Sequence, residues 1–149
     1  MTELRPSHVG ICVSDLDRSL RFWVDGLGFE AGERYELDSR LVPDLHHALE
    51  VDGPVEVVSQ FVRLGAMAVE LLAFSEPEPV GRPSATRVQL GLTHLAFHVE
   101  DLAEAIDQLV RHGGTLIEST RVDVGTNVAF LEAPDGVRVE LMERPRPRV

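Results

Sequence analysis

The chain has 149 residues, 44% hydrophobic and 26% charged, the make-up of a soluble globular protein that fits one compact domain or two half-size modules sharing a core. Its 14 basic against 25 acidic side chains leave a net charge of −11, which repels phosphate backbones and anionic bilayers and argues against a nucleic-acid or membrane partner. The single Cys12 excludes an internal disulfide, the N-terminus Met1-Thr2-Glu3-Leu4-Arg5-Pro6 lacks the apolar run of a signal peptide, and no stretch reaches membrane-spanning length, so a cytoplasmic location is expected.

From His8 to Val13 the chain alternates, with Val9, Ile11 and Val13 on one face and His8, Gly10 and Cys12 on the other. This predicts a strand with one face against a core. Ser14 or Asp15 is a candidate N-cap, and Leu16, Leu20, Trp23, Val24 and Leu27 follow at helical spacing until Gly26 and Gly28 end the run. Strands are predicted at 31–36, 55–64 and 67–74, the last two joined by a turn near Gly65-Ala66. The segment 75–92, with Pro77, Pro79, Gly81 and Pro83, is expected to be a linker.

The design then repeats. Leu95, Phe97 and Val99 form the core face of a strand, Glu100-Asp101 opens a helix with Leu102, Ile106, Leu109 and Val110 as its apolar stripe, and Gly113-Gly114 closes it. Strands are predicted at 115–119, 127–132 and 137–142, with Pro134-Asp135-Gly136 turning the last two into an antiparallel hairpin. Both halves therefore take the order βαβββ, an α+β chain of two modules, 7–74 and 93–143, in one domain spanning 1–149. The tail Arg144-Pro145-Arg146-Pro147-Arg148 is expected to be extended and exposed.

The repeat carries chemistry. Ser7-His8 is echoed by Thr93-His94, and Val69-Glu70-Leu71 by Val139-Glu140-Leu141. Each half offers one His near its start and one Glu near its end, all four on the strand faces turned away from the helices. Two such halves facing each other would bring His8, Glu70, His94 and Glu140 to one point. Two neutral imidazoles and two carboxylates make a borderline N/O set suited to one divalent ion: Zn²⁺, Ni²⁺, Co²⁺, Mn²⁺ or Fe²⁺. From residue 8 to residue 70 is 62 positions, against 46 from residue 94 to residue 140. The first half thus holds 16 more residues, assigned to a surface insertion in 36–54 that contains His46 and His47.

These motifs, His8-Val-Gly-Ile-Cys-Val-Ser-Asp-Leu, Val69-Glu-Leu-Leu, Thr93-His-Leu-Ala-Phe-His-Val-Glu-Asp-Leu and Ala133-Pro-Asp-Gly-Val-Arg-Val-Glu-Leu, resemble those of the vicinal oxygen chelate superfamily, which includes glyoxalase I, methylmalonyl-CoA epimerase, extradiol dioxygenases and bleomycin-resistance proteins. The resemblance implies paired βαβββ modules whose curved sheets form a trough around a divalent metal, with His8, Glu70, His94 and Glu140 at the four ligand positions. It implies a small-molecule substrate and commonly a homodimer. The His/Glu/His/Glu set is similar to that of glyoxalase I and of the epimerases, enzymes in which a metal polarises a carbonyl or enolate oxygen while a carboxylate moves a proton on the adjacent carbon. On that pattern Glu140 and Glu70 are the catalytic carboxylates. Bacterial-type glyoxalase I has an Arg four positions after the first His and an Asn four after the first Glu, both serving glutathione; Cys12 and Phe74 stand there instead.

Substrate-contact candidates are His98, four residues after His94, and Arg138, two before Glu140, each on the same face as that ligand, with Asn127, Phe74, Phe130 and Cys12. Two other functions fit the superfamily. A ring-cleaving dioxygenase would use His8, His94 and Glu140 on Fe²⁺, though a fourth ligand at Glu70 would fill a position needed for oxygen or substrate. A metal-free antibiotic- or ligand-binding protein would need an aromatic platform, for which Phe74 and Phe130 are the only large rings on predicted inner strands.

Overall fold

The computed structural model describes residues 1–144, which divide into two units, Met1–Val80 and one that begins at Gly81. In the first, β1 (Val9–Cys12) leads into α1 (Leu16–Leu20), and β2 (Glu30–Asp38), β3 (Glu56–Leu64) and β4 (Met67–Glu76) follow. The sheet order is β1-β4-β3-β2, with β1 parallel to β4 and the other pairs antiparallel. The second unit repeats this with β5 (Leu95–Val99), α3 (Leu102–Arg111), β6 (Thr115–Asp123), β7 (Asn127–Glu132) and β8 (Arg138–Glu143), ordered β5-β8-β7-β6. Each unit is thus the predicted βαβββ arrangement. The predicted tail, beyond Arg144, lies outside the described residues. Among the described residues no helix is long and apolar enough to cross a membrane.

Both helices are capped as the sequence suggests. Asp15 accepts a hydrogen bond from the Arg18 backbone N–H at 2.9 Å, and Asp101 accepts one from Glu104 at 2.9 Å, each satisfying a donor that the first helical turn leaves orphaned. α3 buries Leu102, Ile106 and Leu109 as predicted, while Val110 is exposed. α1 departs from expectation. It runs on into a π-helical stretch, Arg21–Gly26, and the buried side is Ser19, Phe22, Trp23 and Gly26. The cause is aromatic: Phe22 and Trp23 meet edge to face at 5.8 Å, and Trp23 meets Phe29 likewise at 5.3 Å. Of the predicted stripe Trp23 is buried as expected, while Leu16, Leu20, Val24 and Leu27 are half-buried, and the three buried rings set the helix orientation.

The strands run further than their apolar runs indicate. β2 extends from the predicted 31–36 to 30–38, and β6 from 115–119 to 115–123, both with a bulge. At the β6 irregularity the Thr120 hydroxyl accepts from the Phe130 N–H at 2.8 Å and donates to the Ile117 carbonyl at 2.6 Å, standing in for missing ladder bonds. The predicted turn at 134–136 is present as a 3₁₀ turn, with Asp135 and Gly136 both at positive φ, and it joins β7 and β8 as an antiparallel hairpin.

The insertion holds a short helix, α2 (Leu45–Ala48), and it is not a free loop. Leu45, Val55 and Val57 are buried together, with Leu37, Leu49, Val51, Leu72 and Phe74 packed against them. Its base is clamped by Arg40, whose guanidinium pairs with Asp38 at 2.9 Å, with Glu76 at 3.2 Å and closely with Glu56. The Arg40 backbone N–H also bonds the Asp38 carboxylate, at 2.8 Å. That N–H and the guanidinium hold the Asp38 carboxyl below the usual aspartate range.

Candidate functional site: two matching His–Glu pairs

Strand register builds the first pair. Gly10 of β1 lies beside Glu70 of β4, and Phe61 of β3 lies beside Glu70 on its other side. His8, just before β1, therefore sits on the Glu70 face, with its Nε2 3.1 Å from Glu70 Oε2. Ser7 Oγ and His8 Nδ1 are hydrogen-bonded at 2.8 Å, and Phe61 meets the imidazole edge to face with ring centres 5.1 Å apart.

The second pair reproduces the first part for part. Ala96 and Phe130 flank Glu140, His94 Nε2 lies 3.0 Å from Glu140 Oε2, Thr93 Oγ1 bonds His94 Nδ1 at 2.9 Å, and Phe130 packs on the imidazole at 5.1 Å. Burial matches too: the His side chains are 33% and 32% exposed, the Glu side chains 19% and 18%. In the tautomer that donates Nδ1–H to the hydroxyl oxygen, Nε2 would present its lone pair on the carboxylate side, as a metal ligand must; without an ion, Nε2–H donates to the carboxylate. The donor spacing fits as well. Two donors bound about 2.1 Å from one octahedral ion stand about 3.0 Å apart, and about 3.4 Å from a tetrahedral one, against the 3.1 and 3.0 Å that the pairs hold.

The structure thus brings the four predicted ligands together two by two; among the described residues no group of three or more His, Cys, Asp or Glu side chains is gathered in metal-binding fashion. The pairs differ at the carboxylate. Ser59 Oγ donates to Glu70 Oε1 at 2.5 Å, whereas the position facing Met142 as Ser59 faces Leu72 is Val128.

The remaining candidates divide by face. His98 is exposed beside Met142 on the Glu140 face, and Cys12 is exposed beside Leu72 on the Glu70 face. Arg138 shares the Glu140 face, but its guanidinium is engaged by Glu132 at 3.4 Å and the Ser84 carbonyl at 3.2 Å and is only 14% exposed. The Ser84 contact ties Arg138 to the segment before β5, and the Glu132 contact ties it to β7. Asn127 is a correction. It lies on the face opposite Phe130 and Glu140, and its Nδ2 donates to Glu143 at 2.6 Å. There it lines a cavity of about 360 Å³ with Asp101, Arg121 and Asp123 near the start of α3. Alternation along β7 dictates this, since 127 and 130 differ by an odd number of residues. Phe130 buttresses His94, and Phe74 is packed under the insertion. Neither therefore offers the open stacking platform expected for a metal-free aromatic-ligand site. His46 and His47 meet on α2 with ring centres 4.0 Å apart and ring planes tilted by 39°.

Sequence reasoning left Ser7, Thr93, Phe61 and Ser59 without a role. The first two were signalled by the repeat, a hydroxyl residue before each His. Phe61 was hidden because the two hairpins differ in length, placing it nine positions before its Glu where Phe130 is ten before. Ser59 has no signal in the repeat at all.

Two βαβββ units, each with a His and a Glu on the face away from its helix, define the vicinal oxygen chelate class of α+β proteins. The Glyoxalase/Bleomycin resistance protein/Dioxygenase superfamily profile matches residues 5–141, and the chain belongs to that superfamily. It is 29% identical over 144 residues to a lactoylglutathione lyase of Escherichia coli O157:H7, covering 94% of this chain and 93% of that one. It is 27% identical over 146 residues to a 2-epi-5-epi-valiolone epimerase of Actinomyces sp, covering 93% and 78%. The crystal structure of a glyoxalase family protein from Bacillus cereus shares the fold with a TM-score of 0.75 at 22% identity, covering 96% of this chain and 95% of the other.

Proposed function

We propose that the protein is a metal-dependent lyase or isomerase that enolises a small oxygenated substrate, with His8, Glu70, His94 and Glu140 as ligands of one divalent ion per chain. The observation that carries this is the duplicated pair: imidazole Nε2 and carboxylate oxygen at 3.1 and 3.0 Å, each imidazole fixed from behind by a hydroxyl. A bound divalent ion would supply the positive charge that makes a carbon-bound proton next to a carbonyl acidic. The chain supplies the rest. Ser7 and Thr93 would accept from Nδ1–H when Nε2 binds the ion, and Phe61 and Phe130 hold the ring planes. Glu70 is engaged at both oxygens and acts as the fixed arm. Glu140 is engaged at Oε2 only among the described residues, so its second oxygen is the one free to take a proton from carbon and return it.

The relatives named as a lyase and an epimerase support a lyase or isomerase. The insertion favours a compact substrate. It covers Leu72 and Phe74, the residues two and four positions beyond Glu70 on the same face, so a long substrate arm has no place along that stretch of β4. A homodimer in the cytoplasm completes the proposal.

The test is solvent proton exchange. Metal-loaded protein in D₂O is incubated with 2-oxo acids, thiol hemiacetals and acyl-CoA epimers, and deuterium at the carbon next to the carbonyl is followed by NMR. Incorporation in one class, abolished by Glu140→Gln in a folded variant, is expected; exchange undiminished in that variant overturns the proposal, as does oxygen consumption with a catechol in place of exchange.

A further inference from the structure

We infer that Ser59 is a positioning residue that pre-sets the Glu70 carboxylate for metal binding and makes the first His–Glu pair the rigid one of the two. The inference rests on Glu70 being a ligand, as proposed above. The two pairs act as each other's control. Hydroxyl, imidazole, carboxylate and phenyl ring recur in both with matching distances, and the Ser59 hydroxyl on the carboxylate has no counterpart.

Ser59 is 2% exposed in the middle of β3. A hydroxyl buried that far costs free energy without a partner, and Val, which stands at the matching place in β7, would fill the position as well. The partner is Glu70: a 2.5 Å bond from Oγ to Oε1 is at the short end for a hydroxyl on a carboxylate, the charge-assisted kind. His8 meets the other oxygen, so both lone-pair sides of Glu70 are directed before any ligand arrives. A glutamate with several rotatable bonds loses that freedom on binding an ion, and the loss weakens binding unless the side chain is already ordered. Glu140 faces Val128 and Met142 on its own side of the sheet and gains no such ordering from a hydroxyl. Ser59 acts through Glu70, at its carboxylate, and the effect should vanish when that carboxylate is removed.

The experiment uses the full chain and zinc alone, titrated in competition with a chromophoric chelator. Ser59→Ala is expected to weaken zinc affinity by about 10- to 100-fold, and Ser59→Thr, which keeps the hydroxyl, to restore it to near the wild-type value. In a Glu70→Ala background, Ser59→Ala should cause no further loss. Zinc affinity of Ser59→Ala within twofold of wild type overturns the inference. So does an equal additional loss in the Glu70→Ala background, which would mean that Ser59 acts on packing. Failure of the wild type to take up zinc would count against the ligand reading of the four residues and leave Ser59 to a metal-free measurement. In that measurement the Glu70 carboxyl ¹³C resonance of the apo-protein should move on Ser59→Ala and return with Ser59→Thr; a resonance indifferent to both overturns the inference.

Discussion

Thr93→Val removes one oxygen and replaces it with a methyl group of similar volume. In the native chain that oxygen is 2.9 Å from His94 Nδ1 and holds the ring so that Nε2 faces Glu140. Loss of such a supporting partner costs about 10- to 100-fold in metal affinity. The His94 side chain is 32% exposed, so water reaches the vacated position and replaces part of the bond. The expected loss is therefore at the lower end, about tenfold, or roughly 1.4 kcal/mol. Ser7→Ala should cost the same, because its bond is 2.8 Å and its His is 33% exposed. The two hydroxyls touch different imidazoles, so the double variant should lose about 100-fold. Zinc affinity by chelator competition measures all three, with far-ultraviolet circular dichroism as the check on folding. Two folded single variants that bind zinc as tightly as wild type would refute the claim that the hydroxyls orient ligand nitrogens.

Other consequences follow from the packing and the charges. Leu71→Ala and Leu141→Ala, at matching buried places in β4 and β8, should each lower unfolding free energy by about 2–5 kcal/mol in urea, with the slope unchanged. Asp38 has its carboxyl held low by Arg40, so its contribution to stability is present above the unfolded aspartate range near pH 4 and lost as pH falls through the depressed folded value. Thermal unfolding from pH 6 to pH 3 should show Arg40→Met losing less stability on acidification than wild type; equal losses would contradict the role of the clamp. Asn127→Ala should leave zinc affinity unchanged within twofold, since its side chain bonds Glu143 on the far face; a tenfold loss would put it back among the site residues.

The fold was legible in the sequence because alternation and capping are local. The core face of β1, both N-caps and the α3 stripe needed only neighbouring residues. The orientation of α1 was not, because Phe29, which sets it, lies beyond the helix and pairs with Trp23 only after the chain turns back. The packing of the insertion was hidden for the same reason: Leu45 and Phe74 are far apart in sequence and meet on one face of the first sheet. Within the site, the His and Glu of each pair were marked by the repeat. Ser59 was not, since an isolated serine in an apolar strand gives no sign of which carboxylate it will reach across the ladder. Asn127 falls on the far face because strand parity along β7 places it opposite Phe130.

The central claim is that the duplicated pairs bind metal, and metal analysis of protein purified without chelators tests it most directly. The account predicts close to one divalent ion per chain in the wild type and marked loss in each of His8→Ala, Glu70→Ala, His94→Ala and Glu140→Ala. A metal-free wild type that takes up no added zinc, nickel, cobalt, manganese or iron, or bound metal retained by all four variants, would contradict it.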